Sequence, residues 1–77
     1  MNSPTGYRVR FLSRVTDTED TTSIEEDLPV IGHDGYHALV LDEQGVVRTV
    51  QDMKRHLADD DGKDGLTVRV SFTVYAS

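Results

Sequence analysis

Leu66-Thr67-Val68-Arg69-Val70-Ser71-Phe72-Thr73-Val74-Tyr75 alternates apolar and polar side chains without a break. A period of two is the pattern of a strand with one face on a core and one toward water. Leu66, Val68, Val70, Phe72 and Val74 are expected to point inward. Thr67, Arg69, Ser71, Thr73 and Tyr75 are expected to point outward. The rest of the chain has to supply neighbours for this strand and a cover for its apolar side.

Tyr7 to Val15 repeats the pattern, with Tyr7, Val9, Phe11 and Val15 on one face and Arg8, Arg10, Leu12 and Arg14 on the other. Leu12 and Ser13 weaken the alternation. Tyr36 to Leu41 is apolar at nearly every position, which suits a central strand. Asp42-Glu43-Gln44-Gly45 reads as a hairpin turn, with Gly45 free to take positive φ, and Val46 to Arg48 as a short returning strand. Thr49 then reads as a helix N-cap with Asp52 three residues on. Val50, Met53 and Leu57 recur at helical spacing, so a helix of about three turns is expected to reach Ala58 or Asp59. Gly62 and Gly65 would end it and return the chain to the last strand.

Residues 1–6 read as a flexible start, and residues 16–35 as an acidic insert. In that insert Ser23 and Glu26 stand as in a capping box, so a single helical turn from Ile24 to Leu28, stopped by Pro29, is expected within a loop. A short edge strand is the other option. The expected fold is α+β: one small domain, β-loop-β-β-α-β, with an antiparallel or mixed four-strand sheet and one helix on one face.

The chain has 77 residues and no cysteine. Its length limits burial to roughly 60% of the unfolded surface, and disulfides and thiolate metal sites are excluded. A homodimer is one route to the missing core. No apolar run is long enough to span a membrane and no signal pattern opens the chain, so a cytoplasmic protein with no membrane partner is expected. The net charge of −6 argues against a general nucleic-acid coat. An acidic, lysine-poor composition suits a salt-rich cytoplasm or a GC-rich genome.

The charge is segregated. Residues 1–15 carry +3, residues 16–44 carry −9, residues 45–58 carry +2, residues 59–64 carry −3 and residues 65–77 carry +1. If the first and last strands are neighbours, Arg8, Arg10, Arg14, Arg69 and Tyr75 share the open face of the sheet. Arginines with an aromatic on such a face can hold single-stranded nucleic acid by phosphate contact and stacking. The plainer expectation is that these arginines pair with the acidic insert lying across them. Glu25, Glu26 and Asp27, with Asp59, Asp60, Asp61 and Asp64, could instead present carboxylates to a basic protein partner. The plainer reading there is a solvated acidic surface.

His33 and His37 are four apart, but Gly35 between them argues against the helix that would align them on a metal. Asp59 to Gly65 lacks the residue order of a calcium loop. No Gly-rich phosphate loop, nucleophile elbow or paired His-Glu motif is present. Catalytic residues, metal ligands and cofactors are therefore not expected. The favoured reading is a non-enzymatic binding protein, a regulator or inhibitor of a basic protein, of the kind that handles nucleic acid. The alternatives are a nucleic-acid-binding arginine face and a metal site at His33 and His37.

Overall fold

The computed structural model describes residues 4–61 and 66–77, with only the backbone at Asp60 and Asp61. Met1 to Ser3, and Gly62, Asp64 and Gly65, which the sequence reading used, lie outside the described residues. The chain forms β1 (Tyr7–Thr16), β2 (Thr21–Asp34), β3 (His37–Leu41), β4 (Val47–Thr49), α1 (Val50–Asp61) and β5 (Thr67–Ala76). The strands make one five-stranded sheet in the order β4-β3-β2-β1-β5, with antiparallel pairing throughout. Four strands thus form a meander, and α1 crosses one face of the sheet to place β5 at the far edge, beside β1.

The α+β class and the single helix on one face are as the sequence reading expects, and the adjacency of the first and last strands, which it left as a condition, is met. The strand count is not: the sheet has five strands, because the acidic insert is itself a strand. β2 pairs residue by residue with β1 from Thr16↔Thr21 to Arg8↔Pro29, so Ile24 to Leu28 is extended and the helical turn does not form. Pro29 is compatible with the sheet for a specific reason. Ser77 donates its N–H to Gly6 O at 2.8 Å, which makes Gly6 and Ser77 a hydrogen-bonded pair. Alternation along the continuous β1–β5 register then turns the backbone groups of even-numbered β1 residues toward β5. Arg8 and Pro29 therefore form a non-hydrogen-bonded pair of the β1–β2 ladder, and the proline nitrogen turns toward β3 just past Val30↔Val40, the last pair of the β2–β3 ladder. Farther along β2 the register with β3 shifts by one residue between Val30 and Gly32, a bulge at Ile31.

Short polar turns join the strands. Asp17 donates its N–H to Asp20 O at 2.8 Å across the β1–β2 turn. Gly35 (φ 61°) and Gly45 (φ 79°) supply the left-handed backbone at the β2–β3 and β3–β4 turns. The chain start is tied down from Thr5, whose hydroxyl donates to Val30 O at 2.7 Å.

The core lies between α1 and the inner face of the sheet: Val9 and Phe11 of β1, Leu28 and Val30 of β2, Val40 of β3, Val70 of β5, and the helix stripe Val50, Met53 and Leu57. The expected stripe is the one observed, and the helix runs to Asp61 rather than Ala58 or Asp59. The inner side of β5 departs from expectation. Val70 is buried, but Phe72 is 39% and Val74 48% exposed. The reason is length: a 12-residue helix spans about 18 Å. The molecule is 41 Å along its longest axis, so α1 leaves parts of the sheet bare. Among the described residues no helix is long and apolar enough to cross a membrane.

Candidate functional site

The β1 register fixes which side chains meet on the open face. Arg8 lies between Pro29 and Tyr75, Arg10 between Asp27 and Thr73, and Arg14 between Ser23 and Arg69. With β1 and β5 adjacent, the four arginines and Tyr75 share one face, and the acidic strand lies alongside them. Asp27 is the centre of the arrangement. Arg8 Nε donates to Asp27 Oδ1 at 2.5 Å, and Arg10 Nε stands 3.7 Å from Asp27 Oδ2. The Tyr75 hydroxyl also donates to Asp27 Oδ2. Arg10 reaches Glu25 at 2.9 Å and lies over the Tyr75 ring, 4.9 Å from its centroid.

Partial burial pushes the Asp27 carboxyl upward, but the Tyr75 hydroxyl and the Arg8 and Arg10 guanidiniums outweigh it, and Asp27 sits below the ordinary carboxylate value. The Arg8 guanidinium is raised in turn, chiefly by its hydrogen bond to Asp27. Half of the arginine face is thereby neutralised. Arg14 and Arg69 stand directly opposite one another with no acidic partner among the described residues. With Thr16, Thr21 and Thr67 they line a shallow hollow of about 270 Å³.

The acidic residues proposed for partner binding do not form one patch. Glu25 and Asp27 lie on the arginine face, whereas Glu26, opposite Phe11 in register, lies on the helix face. Asp59 is exposed near the end of α1, Asp60 and Asp61 are described only as helix backbone, and Asp64 lies outside the described residues.

Glu26 joins a different set. A groove of about 370 Å³ runs between α1 and the sheet on the β3–β4 side. Ile24, Met53 and Leu57 make it partly apolar, while Glu26, Asp42 and Glu43 supply carboxylates and His56 comes from the helix. Asp42 anchors this wall. Its Oδ1 accepts N–H bonds from Gln44 at 2.9 Å and Val46 at 2.8 Å, and its Oδ2 lies 3.0 Å from Arg48 Nε. The Val46 N–H does most to lower the Asp42 pKa; burial opposes, and Arg48 and the Gln44 N–H assist. Sequence reasoning missed the groove because its residues come from three separate elements. The available signal was Asp42 at the head of the Asp-Glu-Gln-Gly turn, in the position of a side-chain-capped turn.

His33 and His37 flank the β2–β3 turn, with His37 opposite Asp34 and His33 opposite Ala38. Among the described residues no group of three His, Asp or Glu side chains is placed to hold a metal ion. Comparison with known protein families, curated proteins and solved structures finds no match for this chain.

Proposed function

We propose that the protein is a small cytoplasmic, non-enzymatic binding protein that regulates or inhibits a basic protein partner, and that the partner is engaged at the groove between α1 and the β3–β4 turn. The observation that supports this is the groove's chemistry: Glu26 and Glu43 stand beside the apolar side chains of Ile24, Met53 and Leu57. An arginine or lysine flanked by an apolar residue would place its charge against those carboxylates and its apolar neighbour on Met53 and Leu57. A protein that handles nucleic acid carries such basic surfaces. Asp42 serves the site indirectly, holding the turn that presents Glu43.

A synthetic peptide of alternating Arg and Leu residues is a suitable probe. At low salt it is expected to shift the amide signals of Ile24, Glu26, Glu43 and Gln44. Replacing both glutamates (Glu26→Gln, Glu43→Gln) is expected to weaken binding about tenfold, since each lost charge pair is worth a fraction of a decade or more at low salt. Unchanged affinity in the double variant sinks the proposal. The Arg14–Arg69 pair favours a second reading, contact with a nucleic-acid backbone. A single-stranded oligonucleotide that shifts Arg14, Arg69 and Thr67, with no groove response to the peptide, would put that reading first.

A further inference from the structure

The two edges of the sheet differ. β4 ends the sheet with three residues, too few to template another strand, whereas β5 ends it with ten. Natural sheets blunt long edges with proline, lysine, a bulge or a covering segment. β5 contains neither proline nor lysine, and its register with β1 runs unbroken from Tyr7↔Ala76 to Thr16↔Thr67. The hydrogen-bonded Gly6–Ser77 pair sets the direction of every backbone group along this strand. Odd-numbered residues of β5 face β1, so Val68, Val70, Phe72, Val74 and Ala76 turn their N–H and C=O groups to the outside.

The sequence of the edge is close to a chemical palindrome about Phe72. Ser71 mirrors Thr73, Val70 mirrors Val74, Val68 mirrors Ala76 and Thr67 mirrors Ser77. The one charge, Arg69, mirrors the aromatic Tyr75. A two-fold axis brings each residue opposite its own mirror position on the other copy.

We propose that β5 pairs antiparallel with β5 of a second copy of this chain, about a two-fold axis at Phe72, to make one continuous ten-stranded sheet. Phe72 would face Phe72 of the other copy as a hydrogen-bonded pair, which the outward direction of its backbone groups permits. Val70 and Val74 flank it on the inner face, covering the apolar surface that α1 leaves bare at Phe72 and Val74. On the outer face Arg69 falls opposite Tyr75 of the other copy in a non-hydrogen-bonded pair, where side chains approach most closely. Within its own chain Arg69 is opposed by Arg14, so the second copy offers it an aromatic face in place of a like charge. Charge placement agrees: β1 and β5 contain no acidic residue, so the edge half of the molecule is the part farthest in character from the acidic −6 average.

The chain has no cysteine, so introduced thiols report the register directly. Thr73→Cys mixed with Ser71→Cys is expected to form a disulfide-linked pair on mild oxidation, because these positions oppose one another across the axis at disulfide distance. Ser71→Cys alone is expected to remain unlinked. Linkage of Ser71→Cys to itself in preference to the mixture would overturn the register, and absence of any linkage would overturn the pairing. Sedimentation equilibrium of the unmodified chain is expected to give twice the 8.6 kDa chain mass. Hydrogen exchange at the same concentration is expected to protect the Val70, Phe72 and Val74 amides. A monomer at millimolar concentration, or a dimer in which those amides exchange freely, overturns the proposal. Val74→Pro removes an outward N–H without touching the β1–β5 ladder and is expected to weaken the dimer about a hundredfold, since the symmetry doubles the lost bond. A Val74→Pro chain that folds and dimerises as before counts against it.

Discussion

Ser13 lies on the inner face of β1, between Ile24 of β2 and Val70 of β5 in register, and is only 2% exposed. No hydrogen bond to its hydroxyl is present among the described residues. A buried hydroxyl without a partner has lost its water for nothing in return. Ser13→Ala is therefore expected to stabilise the fold by about 1 kcal/mol, measured as an increase in the urea midpoint at constant slope. A loss of stability would mean that the hydroxyl is satisfied in solution. In the sequence Ser13 reads as a flaw in the alternation, yet Val9, Phe11, Ser13 and Val15 keep the period, and Leu12 is the apolar residue on the wrong side. Side-chain polarity misleads at both positions because the strand is judged from single residues, while burial follows the face. Asp27 shows the converse. Its type suggests a solvated loop, but two arginines and a tyrosine hydroxyl converge on it only because three strands lie side by side.

Element by element, the helix was the most legible part. Its stripe of Val50, Met53 and Leu57 follows from spacing alone, and its start is marked by a cap that forms as expected: Asp52 donates its N–H to Thr49 Oγ1 at 3.1 Å. Thr49→Ala is expected to cost about 1 kcal/mol of stability, checked by thermal or urea unfolding, with Thr49→Ser retaining most of it. The helix continues past Asp59 although its last turn has no basic residue to offset the helix dipole, and its last packed residues are Leu57 and Ala58. β2 was the least legible. Thr22, Ile24, Glu26, Leu28 and Val30 share its inner face, but only Leu28 and Val30 lie within the described core. Ile24 and Glu26 line the groove beside α1 rather than the packed core, so a polar residue is tolerated there and the period of two is masked. Glu25 and Asp27 make a strand favourable only once β1 brings its arginines opposite. β5 was recognised from its pattern, but the exposure of Phe72 and Val74 depends on how far α1 extends.

At the scale of the whole molecule, acid sensitivity follows from two carboxylates. Asp27 and Asp42 both lie below the unfolded value of 3.8 in the folded chain. A group lowered on folding contributes stability that is fully present above its unfolded pKa and disappears as pH falls through its folded one. The urea midpoint is therefore expected to stay level from about pH 7 to about pH 5 and to fall below about pH 4. Asp42→Asn should lower the plateau and flatten the acid limb; an unaltered limb would show that Asp42 titrates alike in both states. The amino-acid sequence by itself determined the α+β class, the helix and its buried stripe, the alternation of β1 and β5, and the separation of basic strands from acidic segments. These are local properties, carried by periods of 2 and 3.6 and by the identity of a cap or a turn residue. Partnership between elements was left to the tertiary structure: β2 as a central strand, Asp27 beneath Arg8, Arg10 and Tyr75, Glu26 on the opposite face from Glu25, and β5 as an edge strand. Each of these depends on which strand lies next to which, and a shift of register by one residue would reverse every face involved.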